Sequence, residues 1–262
     1  MLRTRAITAL VLLPAVILIV FAGGWWFLAM VGLVTLLAGW EFGQMMRAGN
    51  YATTPLFTLA LIVLFLLDAF FPDLRLVKPG LTFIVVSALI WQLFQTATSA
   101  PTVDWALSLS GGLYIGLGAA NLLALRLLDD GLAWAWLALL CTWGADTFAY
   151  LIGRAWGRRK FWPRHSPGKT WEGVAGGVLG SLVGAFIVVA FSGLSWIDAL
   201  VVGLLVSLVA PLGDLVISMM KRHVGVKDTS HFLPGHGGML DRIDALLAVS
   251  IFVHYYAIWF AN

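Results

Sequence analysis

The chain has 262 residues, of which 61% are hydrophobic and only 11% are charged, and its formal net charge is +3. A soluble domain carries about 25% charged residues, so this composition excludes an ordinary globular domain and predicts a polytopic membrane protein. The single cysteine, Cys141, excludes an internal disulfide and a metal cluster built from thiolates.

Apolar runs predict an all-α fold, because a membrane-spanning helix needs about 20 mainly apolar residues. About nine such runs fill the chain. They lie at 7–22, 25–46, 54–71, 78–96, 105–126, 131–152, 173–192, 197–220 and 243–260. Gly23 and Gly24 predict a tight turn between the first two runs. We expect one membrane domain over 1–262, with N-terminal spans in 1–130, and with the functional C-terminal spans and the loops 153–172 and 221–242 in 131–262.

The distribution of lysine and arginine predicts the orientation. If the N-terminus lies in the cytoplasm, only Arg75, Lys78 and Arg126 of the 16 lysines and arginines fall outside. Cytoplasmic loops carry such an excess of positive residues. The sequence therefore predicts a multi-pass protein with the N-terminus inside, the C-terminus outside and the polar loops facing the cytoplasm. Because the N-terminus is short and shows no targeting segment, we expect the membrane to be a bacterial plasma (inner) membrane.

The first 130 residues contain few groups suited to chemistry. Glu41 and Asp68 lie near the ends of predicted spans, where an acidic side chain lines a cavity or, more often, sits at the membrane interface. Glycines in the fifth span and at 173/177 and 176/180 indicate close helix packing rather than a binding site.

The loop that follows the sixth span is strongly basic. Asp146 lies one to two turns before the end of that span, and Lys169 and Glu172 lie just before the seventh. The loop's cations predict a polyanionic ligand or anionic lipid headgroups, although the positive-inside rule alone also explains many of them. Gly168-Lys169-Thr170 is not a P-loop, because position 163 is Pro where that motif requires Gly.

The stretch 211–244 is hydrophilic, whereas its neighbours are apolar enough to lie in lipid. Placing an ionised side chain in the membrane costs roughly 2.5–3.5 kcal/mol on insertion scales, so such a group indicates function. Helical spacing puts Asp214, Ser218, Lys221 and Arg222 on one face of a helix, and Asp241 and Asp244 one turn apart on the next. Carboxylate oxygens suit Mg²⁺, which binds one or two carboxylates together with substrate phosphates.

The same stretch resembles the signature of the phosphatidate cytidylyltransferases. The matching residues are Ser218, Lys221, Arg222, Lys227, Asp228, Pro234, His236, Gly237, Gly238, Asp241, Arg242 and Asp244. A second matching region contains Asp146, Ala149, Tyr150, Gly153, Arg154, Ser166, Pro167, Lys169, Thr170, Glu172 and Gly173. The resemblance covers the C-terminal half, and the N-terminal spans offer no motif to compare.

The resemblance implies that CTP and phosphatidate react to give CDP-diacylglycerol and pyrophosphate. We expect Mg²⁺, with a second cation left open, to bind Asp214 and Asp241. The predicted catalytic set is Asp214, Ser218, Lys221, Arg222, Asp241, Arg242 and Asp244. The predicted substrate-binding set is Asp146, Lys169, Glu172, Lys227 and His236. Asp241→Asn is then expected to abolish turnover in folded protein.

Partners follow from the same interpretation. They are CTP, phosphatidate and membrane lipid, with no nucleic acid, and a homodimer is left open. Two other functions stay open at this stage. One is cytidylyl transfer to a different lipid, such as an isoprenoid glycerol phosphate. The other is an ion transporter, which we disfavour because transporter sites lie near the bilayer midplane on broken helices of inverted repeats.

Overall fold

A computed structural model describes residues 13–96, 98–230, 232 and 237–261, and most of them form helices. The helices within these ranges are α1 (Leu13–Ala22), α2 (Gly24–Ala48), α3 (Pro55–Phe70), α4 (Val77–Gln92), α5 (Pro101–Leu127), α6 (Gly131–Trp156), α7 (Trp171–Ala190), α8 (Trp196–His223) and α9 (Leu240–Tyr256). A short 3₁₀ helix, Pro72–Leu74, precedes α4, and a π-helical turn, Ala257–Ala261, follows α9. Strands β1 (Lys160–Trp162) and β2 (Ser166–Thr170) lie between α6 and α7.

The helices confirm the prediction of an all-α polytopic membrane protein. Each predicted span overlaps one of them, although residues 7–12 of the first span lie outside the described residues. Within the described ranges, six helices are long and apolar enough to cross a membrane: α2, α5, α6, α7, α8 and α9 with its π turn. Both α3 and α4 have only 16 residues, which at about 1.5 Å each fall short of the hydrocarbon thickness. The number of crossings therefore stays a prediction.

Local sequence explains several helix boundaries. Gly23 and Gly24 join α1 to α2 with φ angles of 65° and 50°, which confirms the predicted tight turn. Such angles are strained for residues that carry a Cβ. Pro55 begins α3, where its missing N–H costs no hydrogen bond. The Thr170 hydroxyl accepts a hydrogen bond from the Gly173 N–H at 3.1 Å and so caps the start of α7.

The described residues divide into two compact units. The first unit comprises those within Met1–Ala124 and Met220–Ile243. Its apolar core includes Phe57, Leu61, Phe65, Ala88, Leu109 and Ala120. Helix α5 packs closely on α3, because a Cβ at Gly112 would lie 2.8 Å from the carbonyl oxygen of Thr58 and one at Gly116 would lie 3.2 Å from Cα of Ile62. The predicted packing role of these glycines is confirmed.

The second unit comprises Leu125–Met219 and the described residues of Asp244–Asn262. Its core includes Leu137, Ala138, Cys141, Val206, Val249 and Val253. Helices α6 and α7 approach so closely that a Cβ at Gly180 would lie 2.2 Å from the carbonyl oxygen of Gly144, and one at Gly176 would lie 2.8 Å from that of Phe148. The predicted close packing at 176/180 is confirmed.

The segment between α6 and α7 contains a hairpin that the sequence interpretation treated as a loop. Strands β1 and β2 are antiparallel and pair Lys160 with Thr170 and Trp162 with Ser166, with an irregularity between the two pairs. The ring of Phe161 packs edge-on against that of Trp171, with 4.8 Å between centroids. The hairpin gives Lys169 a fixed place on a strand.

Candidate active site

The second unit contains a polar group centred on Asp214. Its Oδ2 lies 2.8 Å from Nζ of Lys169, and its Oδ1 accepts a hydrogen bond from the Ser218 hydroxyl at 3.1 Å. The Lys169 ammonium also donates to the carbonyl oxygen of Pro211 at 2.9 Å. The side chains of Lys169 and Asp214 remain 23% and 35% exposed, so a ligand can reach both.

Two different elements supply this group. Asp214 and Ser218 lie one turn apart on α8, the spacing at which helical side chains meet. Lys169 comes from β2, and the strand carries its side chain to α8. The structure thus brings together three of the predicted site residues, two from the C-terminal stretch and one from the basic loop.

Glu172 stabilises the segment that leads into the hairpin. Its carboxylate accepts the backbone N–H of Arg158 at 3.0 Å and that of Arg159 at 3.2 Å. These contacts join the first turn of α7 to the segment that precedes β1.

Asp146 is exposed on α6, and Asp244 is 8% exposed on α9. The predicted substrate contacts of Asp146 and Glu172 stay predictions, as does the predicted catalytic role of Asp244.

The first unit contains a second lysine–carboxylate pair. Nζ of Lys221 lies 2.6 Å from Oδ1 of Asp241, and the two side chains are only 10% and 7% exposed. Oδ2 of Asp241 accepts hydrogen bonds from Thr229 N at 2.9 Å, Thr229 Oγ1 at 3.0 Å and Gly238 N at 3.1 Å. Lys221 and Asp241 were both predicted site residues, and the structure brings them together.

A buried acid from the N-terminal half joins this second group. Glu41, on α2, is 4% exposed and accepts hydrogen bonds from Thr229, Ser230, Met239 and Leu240. The sequence interpretation considered Glu41 only as a cavity-lining or interfacial residue. The sequence did offer one signal, namely an acidic residue inside an apolar run, since an intramembrane acid indicates function by default.

The remaining predicted cations lie at the surface. Arg222, Lys227 and Arg242 are exposed, and Nη1 of Arg222 donates to the carbonyl oxygen of Val226 at 3.2 Å. His236 lies outside the described residues. The phosphate contacts predicted for these residues stay predictions.

The predicted metal ligands differ in how well they fit a cation. Among the described residues, no group of three or more His, Cys, Asp or Glu side chains is placed to hold a metal ion. Asp214 fits better as one ligand of an ion that substrate phosphates also bind, because its side chain is 35% exposed, although Lys169 and Ser218 contact its oxygens. Asp241 fits less well, because Lys221, Thr229 and Gly238 already occupy its oxygens. A shared ion on Asp214 and Asp241 stays a prediction.

Apolar helices and partly buried lysine–carboxylate pairs define a multi-pass membrane protein with polar groups on its helices. The profile of the Cytidylyltransferase family matches residues 3–260. The chain belongs to this family, which confirms the resemblance found in the sequence.

Relatives of nearly equal length carry the name phosphatidate cytidylyltransferase. One from Haemophilus influenzae is 34% identical over 98% of this chain and 98% of its own length. One from Synechocystis is 35% identical over 97% of this chain and 96% of its own length. One from Pseudomonas aeruginosa is 36% identical over 95% and 94%.

Proposed function

We propose that this protein transfers the cytidylyl group of CTP to phosphatidate, forming CDP-diacylglycerol and pyrophosphate. Membership of the Cytidylyltransferase family supports the use of CTP. The name shared by relatives that align with the chain along almost its whole length supports phosphatidate as the acceptor.

The reaction is a displacement at phosphorus. An oxygen of the lipid phosphate attacks the α-phosphorus of CTP, and the bond from that phosphorus to the oxygen that bridges to the β-phosphorus breaks. Pyrophosphate leaves with the bonding electrons. The attacking oxygen is already ionised near neutral pH, so the main barrier is repulsion between two polyanions. Positioning and neutralisation of charge therefore account for most of the catalysis.

The observation that carries this proposal is that the two carboxylates predicted to bind metal are each paired with a lysine from the regions that resemble the family. Lys169 is paired with Asp214, and Lys221 is paired with Asp241. A phosphate carries more negative charge than a carboxylate, so each lysine can turn to a phosphate when substrates bind. Ser218, which donates to Asp214, would hold that carboxylate in place as Lys169 leaves it.

Mg²⁺ is part of the proposal, with Asp214 as the better-fitting ligand and Asp241 as the second. The ion would neutralise charge on the phosphate oxygens of the nucleotide. The exposed Arg222, Lys227 and Arg242 would contribute positive charge that attracts substrate phosphates.

The orientation belongs to the proposal as well. The excess of lysine and arginine in the predicted loops 153–172 and 221–242 favours a cytoplasmic site. The N-terminus would then lie inside and the C-terminus outside a bacterial plasma membrane. A homodimer stays open.

The experiment is pyrophosphate release by purified protein in detergent, with CTP, phosphatidate and Mg²⁺ and with each left out in turn. We expect release only when all three are present. Release that needs a different lipid phosphate would replace phosphatidate in the proposal. Absence of release with any lipid phosphate, in protein shown to be folded, would refute the proposed activity.

A further inference from the structure

The carboxylate of Glu41 accepts four hydrogen bonds, although Glu41 lies in an apolar helix. Its Oε1 accepts from Ser230 Oγ at 2.6 Å and from Met239 N at 2.9 Å. Its Oε2 accepts from Leu240 N at 2.9 Å and from Thr229 Oγ1 at 3.2 Å. A buried carboxylate is costly unless donors satisfy it, and here both oxygens have partners.

Two of these donors belong to the start of a helix. Leu240 is the first residue of α9, and the first N–H groups of a helix lack partners within the helix. Glu41 supplies acceptors for Leu240 and for the preceding Met239 from a distant part of the chain. A carboxylate at this position also interacts favourably with the helix dipole.

The other two donors connect Glu41 to the buried ion pair. Thr229 Oγ1 lies between the carboxylates of Glu41 and Asp241, at 3.2 and 3.0 Å. Asp241 in turn binds Lys221. A Cβ at Gly238 would lie 2.0 Å from Thr229 Oγ1 and 2.5 Å from Oε2 of Glu41, so a side chain at this signature position would displace Thr229 and Glu41.

We propose that Glu41 is a positioning residue for cytidylyl transfer, which holds residues 229–230 and 238–241 so that Lys221 and Asp241 meet the phosphates in the correct geometry. This inference rests on the proposed function. It makes Glu41 a functional part of the C-terminal signature, although more than 170 positions separate Glu41 from the beginning of that signature.

The test variant is Glu41→Gln, which keeps the side-chain volume. Each oxygen of Glu41 faces one backbone N–H, of Met239 or of Leu240, so the amide of Gln must point its own N–H₂ at one of them. The matched control is Asp104→Asn. Asp104 is also a buried acid of the first unit, 1% exposed, and accepts from the backbone N–H of Ala52 and from the hydroxyl of Thr98.

The first measurement is steady-state pyrophosphate release per folded molecule. Because a displacement of about 1 Å can cost on the order of 100-fold in rate, we expect Glu41→Gln to lower kcat by roughly 10- to 100-fold. The KM for phosphatidate should change by less than about threefold, since the loss falls on the reacting geometry. Asp104→Asn should leave kcat within about twofold of the wild type, even if it lowers the thermal midpoint.

The second measurement does not depend on activity. Hydrogen exchange at the amides of Met239 and Leu240 should be faster in Glu41→Gln than in the wild type and unchanged in Asp104→Asn. If Glu41→Gln fails to fold, Ser230→Ala removes the 2.6 Å hydrogen bond to Glu41, together with the one that the Phe232 N–H donates to the same hydroxyl at 3.0 Å, and should lower kcat in the same direction by a smaller factor.

The outcomes separate the inference from the proposed function. A wild type without pyrophosphate release refutes the function, while the exchange rates still decide whether Glu41 holds residues 239 and 240. Unchanged exchange at both amides overturns the inference. A fall in kcat that is equal in Glu41→Gln and Asp104→Asn also overturns it, because a general loss of stability would then explain both.

Discussion

Breaking the buried pair of Lys221 and Asp241 should destabilise the protein as well as stop its turnover. Nζ and Oδ1 are 2.6 Å apart, and the side chains are 10% and 7% exposed. Removing one partner of such a pair leaves the other charge buried and unpaired, at a cost of about 3–5 kcal/mol. Asp241→Asn also loses charge-assisted hydrogen bonds from Thr229 and Gly238. The structure therefore adds a cost in stability to the loss of turnover expected from the sequence.

A double-mutant cycle isolates the contribution of the pair. The single variants are Lys221→Met and Asp241→Asn, and the double variant has no unpaired charge at this position. We expect the double variant to be about 2 kcal/mol more stable than the sum of the single changes predicts, which is within the range for contacting residues. The assay is denaturant unfolding in detergent micelles, followed by tryptophan fluorescence.

The chain offers a matched control in Lys169 and Asp214. This pair has a similar distance of 2.8 Å, but its side chains are 23% and 35% exposed. Solvent weakens such a pair, so the coupling in its cycle should be about 1 kcal/mol or less. Additive changes at Lys221 and Asp241, or equal coupling in the two cycles, would refute the reasoning that burial decides the strength of these pairs.

Three further substitutions test the packing and the site. Gly180→Ala should destabilise the protein by about 1–3 kcal/mol, because its Cβ would lie 2.2 Å from the carbonyl oxygen of Gly144, whereas Gly193→Ala, which meets nothing within 4 Å, should be near neutral in the same unfolding assay. Gly238→Ala should abolish pyrophosphate release, and activity close to that of the wild type would contradict the packing of Glu41 against this glycine. Lys169→Ala should raise the KM for CTP more than that for phosphatidate, and an unchanged dependence on CTP would restrict the role of the lysine to the structure of the hairpin.

Hydrophobicity was sufficient to predict the helices. An apolar run long enough to cross a membrane has few alternatives to a helix, since its backbone groups must be satisfied internally. The packing role of the glycines of α5 and α7 could also be predicted, because small residues at helical spacing indicate that two helix backbones approach closely. Whether the shorter helices α3 and α4 cross the membrane depends on tilt and surroundings, which composition does not specify.

The contacts of the site were only partly predictable. The spacing on α8 placed Asp214 beside Ser218, as the structure confirms. The pairing of Lys169 with Asp214 depends on a hairpin, and the segment Lys160–Trp162 is too short to give a recognisable strand pattern. Glu41 could not be connected to the signature from sequence, because its four partners lie about 190–200 positions away and all of them are residues outside the signature pattern, two of which donate through backbone N–H groups.

The most direct test of the account follows two labels of CTP into products. Purified protein is given phosphatidate and Mg²⁺ with CTP labelled at the α-phosphate or, in a parallel reaction, at the γ-phosphate. The account predicts that the α-label enters the organic phase as CDP-diacylglycerol and that the γ-label stays in the aqueous phase as pyrophosphate. An α-label that stays aqueous as CMP would indicate hydrolysis, a γ-label that enters the lipid would indicate phosphorylation, and either result would contradict cytidylyl transfer to phosphatidate.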